Sequence, residues 1–244
     1  MTGIDAGNRG YLNIEPDTLR EMIRMYHDAG FHFAIHVIGD HTIDVVVDSY
    51  MNALHGNPKQ GLRHAIIHAN IPTQHAIETM AALQRDYDAG YPESSATFMW
   101  WIGDTYAGNY RSRARRLDPF ATYLKRGIHW ANGSDYSVTP FAARYGLWAA
   151  VAREPALGIY GGDPLGRDEA VDIRAALRAS TIWAAHQMFL DTKIGSIEAG
   201  KYADLAVWDR NPYQVPTADL KDMKCQMTVF DGKIVFQAES SAAN

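Results

Sequence analysis

Three polar residues stand at the ends of evenly spaced apolar runs. They are His36 in Ala34-Ile-His-Val-Ile-Gly-Asp40, His68 in Arg63-His-Ala-Ile-Ile-His-Ala-Asn70, and Asp135 in Gly133-Ser-Asp-Tyr136. Two imidazoles and a carboxylate are a donor set suited to a divalent metal of the zinc type, with positions left open for water. Their spacing is too long to resemble a zinc finger or a zincin motif, so spacing alone says little. A single strand histidine is more often a packed, hydrogen-bonded core residue than a ligand. Two histidines at matching ends of successive strands point instead to one shared place. By the two-residue strand period, His32, Ala34 and His36 share one face, and His64 shares the face of His68.

The elements that must position these residues are legible in outline. Apolar runs Phe31 to Ile38, Arg63 to Ala69, Ser95 to Trp101 and Ile128 to Gly133 begin 32, 32 and 33 residues apart. We read each as a strand. Between them Thr42 to Leu54, Thr73 to Tyr87 and the shorter Pro119 to Arg126 carry helical stripes, as do Pro16 to His27 before the first strand and Phe141 to Arg153 after the last. A strand–helix unit of about 30 residues is the βα repeat of a parallel α/β fold, whose active sites lie at the carboxyl ends of strands. One further helix is expected over Val171 to Gln187. Short strands follow at Lys193 to Ile197, Ala203 to Trp208, Met227 to Phe230 and Lys233 to Phe236, with Asp231-Gly232 as a type I′ hairpin turn. A boundary near Leu190 separates residues 1–190 from 191–244, and Ala238 to Asn244 reads as a frayed tail.

Other polar residues have plainer readings beside the chemical ones. Asp40 reads as a helix cap, because carboxylates suit helix N-termini, and also as a candidate neighbour of the site. His64 is either a neighbour of the donor set or a packed core residue. Trp100 and Trp101 either line a substrate pocket or pack in the core. His41, His75, His129 and His186 show no convergent partner in the sequence and read as surface or packing residues. The Gly-rich stretch Gly158 to Gly166 lacks the preceding strand of a nucleotide loop and reads as a plain loop.

Composition narrows the class. A 47% hydrophobic and 21% charged content over 244 residues is that of an ordinary soluble globular protein. The net charge of −5 gives no support for nucleic-acid binding. The basic group Arg111, Arg113, Arg115 and Arg116 reads as a solvated face. Cys225 is the single cysteine, so no internal disulfide forms. No apolar run approaches the ~20 residues of a membrane span. Residues 1–10 lack a signal-peptide core, and we read the chain as cytoplasmic, leaving aside any signal in a missing N-terminal part.

The segment Gly195-Ser-Ile-Glu-Ala-Gly-Lys-Tyr-Ala-Asp-Leu205 closely resembles a turn near the end of metal-dependent amidohydrolases. It occurs here after "HxxGD" at His36 to Asp40, "HA" at His68-Ala69 and "GSD" at Gly133 to Asp135, in that family's order. The chain most resembles the amidohydrolase-3, YtcJ-like branch, relatives of N-substituted formamide deformylases and N-acyl amino acid deacylases. The resemblance runs from Pro16 to Gln237. It implies an α/β fold, the C-terminal half of a TIM-like (β/α)8 barrel from about helix four through strand eight, followed by strands of a small β-sandwich. It makes His36 and His68 metal ligands on strands five and six, and Asp135 the strand-eight carboxylate, both ligand and catalytic base. The implied reaction is metal-dependent hydrolysis of a non-peptide C–N bond in a small-molecule amide or formamide, with zinc as the expected ion.

The family's opening His-x-His pair and its strand-four ligand are absent from this sequence. Met1 to Asn13 is too short for the preceding strands. The expectation is therefore a truncated enzyme, with a split subunit or an inactive remnant as alternatives. Each predicts an exposed half-barrel that binds itself or a complementary N-terminal half. One metal or two, the substrate and the oligomeric state are not legible in the sequence.

Overall fold

The computed structural model describes residues 10–161 and 163–239, so Gly162 and residues 240–244 of the expected loop and tail lie outside the described residues. Helix α1 (Pro16–Asp28) opens with proline in its first turn, where a missing N–H costs nothing, and buries Leu19, Ile23 and His27. Helix α2 (Asp40–Gly56) buries Ile43, Val46, Val47, Tyr50 and Leu54, the stripe read from the sequence. Helix α3 (Gln74–Tyr87) is capped by the Thr73 hydroxyl, which accepts from the Ala76 N–H at 2.9 Å.

These helices alternate with strands β1 (Ala34–Val37), β2 (Ala65–His68), β3 (Tyr91–Ser94) and β4 (Ala131–Asn132). The four pair in that order and all run parallel. Register aligns His36, Ile67, Glu93 and Ala131 at one level of one face. All four are partly or fully exposed, whereas Val37, Ile66, Pro92 and Ser94 of the opposite face are buried. The expected βα repeat is present, and its helices cover one face of the sheet.

Tyr50 ties α2 to the sheet, its hydroxyl donating to the Ala65 carbonyl at 2.7 Å. Tyr50→Phe leaves that carbonyl buried and unpaired, and is expected to cost about 1–3 kcal/mol in urea unfolding. Unchanged stability would show that water replaces the phenol.

Three expected elements are corrected. The strand placed at Ser95 to Trp101 is instead β3 at Tyr91–Ser94, and the apolar run forms helix α4 (Thr97–Trp101). A short apolar run is ambiguous between strand and buried helix, and Pro92 disguised the true strand. Helices α5 (Gly103–Tyr110) and α6 (Phe120–Lys125) follow, with a 3-10 helix over Arg111–Arg116 between them. That basic group is exposed, as read, and three of its arginines also have partners. Arg113 pairs with Asp40, Arg115 with Asp163 and Asp168, and Arg116 donates to the Pro72 carbonyl.

Helix α7 (Ala143–Ala152) matches its expected place. The single helix expected over Val171 to Gln187 is two, α8 (Ile173–Ala179) and α9 (Ile182–Gln187). Ser180 and Thr181 hydroxyls bond back to the carbonyls of Ala176 and Leu177 at 3.0 and 2.7 Å, and the chain breaks there. Lys193 to Ile197 is a turn and not a strand. Strands β5 (Leu205–Trp208), β6 (Cys225–Phe230) and β7 (Lys233–Gln237) form a separate antiparallel sheet. Its final turn has φ of 47° at Asp231 and 74° at Gly232, both left-handed as a type I′ turn requires.

His186 is not without partners. Its ring bridges Asp88 at 2.8 Å and Asp191 at 3.2 Å, while Arg63 reaches the same two carboxylates at 3.3 and 3.0 Å. This clasp lies at the amino ends of β2 and β3, away from His36 and His68, and fastens the end of α9 to the sheet. His75 likewise pairs with Asp48 at 2.7 Å on the surface.

Candidate metal centre

The rings of His36 and His68 meet edge to face with centroids 4.6 Å apart, at the carboxyl ends of adjacent parallel strands. They do so against strict alternation. His68 pairs in register with Val37, which faces the helices, and alternation would turn His68 that way too. A left-handed backbone, φ 71° at His68 and 49° at Ala69, frees the ring from that side. His68 then stacks on Phe98 at 5.3 Å, itself nearly buried, while His36 is exposed.

Burial lowers the pKa of His68; His36 lowers it further and Asp135 opposes both. Asp135 therefore lies close enough to act on the His68 ring. It is exposed, with a left-handed φ of 50°, and Gly133 just before it bonds to the Ser94 carbonyl at 3.0 Å. A neutral imidazole is the ligating form, and His68 Nδ1 is buried without a hydrogen-bond partner. The pair thus fits a divalent ion. Among the described residues no three His, Cys, Asp or Glu side chains gather as a metal-binding group: the two rings are paired, and Asp135 lies near them without joining the pair.

The remaining candidates have other partners. Asp40 is the first residue of α2 and Gly39 is its cap; the Asp40 carboxylate accepts from the His41 N–H at 2.9 Å and pairs with Arg113 at 2.9 Å. Trp100 packs between Trp101, Tyr145 and Trp148, and Trp101 is 50% exposed.

His64 is on the helix side, stacked on Phe33 at 3.9 Å and bonded to His27 at 3.0 Å. His27 Nε2 faces the Asn57 carbonyl at 2.7 Å and so carries a hydrogen. His27 then accepts at Nδ1 from the His64 Nε2–H, and His64 Nδ1 is left buried without a partner. Burial, with His27 and His32 adding to it, pushes the His64 pKa down to about 3. His64 is a packed residue of the helix side.

Sequence reasoning missed Glu93, which shares its level and face with His36 two strands away. Burial raises its pKa, and His32 offsets this in part. Correct placement of β3 would have revealed it. Beside β1 lies a groove of about 690 Å3, lined by Ile14, Met22, Tyr26, Ile35, His36 and Thr42 among others.

Residues 4–236 match the sequence pattern of the amidohydrolase family, Amidohydro_3. The chain belongs to the amidohydrolase family. This amidohydrolase chain is 32% identical over 218 residues to an N-substituted formamide deformylase of Arthrobacter pascens, covering 87% of the chain and 38% of that relative. It is 26% identical over 234 residues to the putative amidohydrolase YtcJ of Bacillus subtilis, covering 96% of the chain and 42% of YtcJ. The chain thus spans about four tenths of the length of these curated relatives. A metal-dependent hydrolase of Pyrococcus horikoshii superposes with TM-score 0.72 at 24% identity, over 88% of this chain and 41% of that one. Its counterpart from Pyrococcus furiosus gives 0.68 at 22%, over 85% and 39%. Among the described residues no helix is long and apolar enough to cross a membrane.

Proposed function

We propose that this chain is the carboxyl-terminal part of a cytoplasmic, metal-dependent hydrolase of non-peptide C–N bonds, acting on a small amide or formamide. In this reading β1 to β4 are strands five to eight of a TIM-like barrel, ending near Leu190, and β5 to β7 belong to a small sandwich. The observation that carries it is the His36–His68 ring pair at 4.6 Å, with Asp135 acting on His68. His36 and His68 hold a divalent metal, zinc by the nature of the donors, with Asp135 as a further ligand. When bound, such an ion polarises a carbonyl oxygen and acidifies water. Asp135 accepts the proton that water loses as its oxygen adds to the carbonyl carbon. It returns that proton to the nitrogen as the C–N bond breaks, giving a carboxylic acid and an amine. Glu93 and His36 flank the same face, where the acyl or amine part of the substrate would lie.

The test is elemental analysis of a monodisperse preparation. About one zinc-type ion per chain, lost on His68→Ala, is expected; a metal-free chain, or content indifferent to His68, overturns the ligand assignment. A second reading is favoured by the uncovered face of β1 to β4 and the apolar groove at its edge. Here the chain is a subunit that acts only when a complementary N-terminal half covers that face. Metal bound only after mixing with a separately produced N-terminal half would favour that reading over an autonomous site.

A further inference from the structure

The carboxylate arm of the site stands on an exposed turn whose root is buried. Asp135, Tyr136, Ser137 and Val138 are exposed, while Thr139 directly after them is buried. Asp135 is a non-glycine residue in the left-handed region, a conformation that persists only where its surroundings over-determine it. Two bonds do so. The Thr139 hydroxyl donates to the Ser134 carbonyl, and the Val138 N–H donates to the Asp135 carbonyl at 2.7 Å. These carbonyls belong to the two planar peptide units that flank the Asp135 Cα. The first plane contains the Asp135 nitrogen and the second its carbonyl carbon. Holding both planes leaves φ and ψ of Asp135 little freedom, and so fixes the direction in which its side chain leaves the backbone.

Thr139 is itself held. Its Oγ1 lies 2.7 Å from Oγ1 of Thr97, which is also buried. The one hydrogen of the Thr139 hydroxyl is committed to the Ser134 carbonyl, which only accepts, so Thr97 donates to Thr139. Thr97 opens α4, and its neighbour Phe98 stacks on the His68 ring at 5.3 Å. The start of this helix is fastened to the end of β4, because Asn132 Oδ1 accepts from the Ala96 N–H at 3.1 Å. Two successive side chains of one short helix thus reach the two arms of the site. Phe98 backs the imidazole, and Thr97 reaches the carboxylate arm through Thr139.

We infer that Thr139, oriented by Thr97, is a positioning residue that sets the direction of the Asp135 carboxylate relative to His68. It acts through the Ser134–Asp135 peptide. Because imidazole and carboxylate are both referred to α4, their mutual placement is fixed by buried groups although Asp135 itself is exposed. The bonds stand apart from the metal reading; their functional meaning rests on that reading.

The experiment compares Thr139→Val, Thr139→Ser and Tyr50→Phe in the 244-residue chain. The rings of Tyr136 and Phe141, on either side of Thr139, meet with centroids 5.6 Å apart, and their nuclear Overhauser contact reports the shape of the turn. Cobalt(II) titration reports ligation. Thr139→Val keeps the side-chain shape and loses the hydroxyl. It is expected to lose the ring contact and to weaken cobalt(II) binding about tenfold or more. Thr139→Ser, which keeps the hydroxyl, is expected to keep both. Tyr50→Phe is expected to lower the melting temperature and keep both. Retention of the ring contact or of full cobalt(II) affinity in Thr139→Val overturns the inference, as does loss of either in Thr139→Ser or Tyr50→Phe. Where Thr139→Val fails to fold, Thr97→Val is judged by the same two readouts. A wild-type chain that binds no cobalt(II), but whose ring contact responds as stated, rejects the metal reading and leaves the positioning role in place.

Discussion

Acidification from pH 7 to pH 5 is expected to remove about 2 kcal/mol from the stability of this chain, through the buried imidazole of His64. The rings of His27 and His64 are both fully buried and bonded to one another at 3.0 Å. His64, held near 3 when folded, binds a proton near 6.5 when unfolded. Between those values the unfolded chain binds more protons than the folded one. Stability is therefore complete above about 6.5 and declines as pH falls towards the folded value. The carboxylates of Asp88 and Asp191 act in a different window. Burial opposes their ionisation, but bonds from Tyr91, His186 and Arg63 at Asp88, and from His186 and Arg63 at Asp191, outweigh it and lower both pKa values. Their contribution is present above the ordinary carboxylate range of about 4 and is lost only below it. Urea midpoints measured at pH 7, 6 and 5 separate the two. His64→Leu should flatten the slope over that range while lowering the plateau, since His27 loses its donor. A wild-type midpoint that does not move between pH 7 and pH 5 would refute the buried-imidazole account.

Gly195→Ala is expected to cost about 2–4 kcal/mol, summing a left-handed backbone penalty and a steric one. Gly195 has φ 90°, and a Cβ there would stand 2.8 Å from Ala185 Cβ and 2.9 Å from Ile182 Cα. The second of these is backbone of α9 and cannot rotate away. The turn is also held by Lys201, whose ammonium donates to the Ser196 hydroxyl at 2.6 Å. The variant should therefore loosen the docking of the turn onto α9. Gly200→Ala is the matched control, because Gly200 has φ 94° but nothing within 4 Å of the added Cβ. Thermal unfolding of the pair decides the matter: equal losses would mean that backbone conformation accounts for the effect and the close approach to α9 contributes nothing.

The sequence disclosed most where one rule governed a whole element. The stripes of α2 and α3 and the two glycine-punctuated turns needed only periodicity and backbone preference. Strand β3 was hidden because Tyr-Pro-Glu-Ser looks like a turn, while the aromatic run after it packs as a helix on Tyr145 and Trp148. That displacement also concealed Glu93. His36 and His68 were readable as a pair from their place in successive strands. The reason they touch was not, because alternation alone turns His68 towards the helices. What turns it back is a set of bonds from Ser94, Tyr123 and Asp118, residues 26 to 54 positions away in the chain. His64 was assigned the face of His68 by the same two-residue rule. It truly lies on the helix side, and His68 is the residue that departs from the rule.

The order of pairing in the first sheet has a consequence for how the chain is made. Strands β1, β2, β3 and β4 neighbour one another in the order in which they leave the ribosome. Each strand meets an edge that already exists, with its covering helix already synthesised, and none waits for a later segment to fill a gap between two earlier ones. Cotranslational folding proceeds amino end first. Growth of this sheet is one-directional: each newly emerged strand becomes the edge that receives the next.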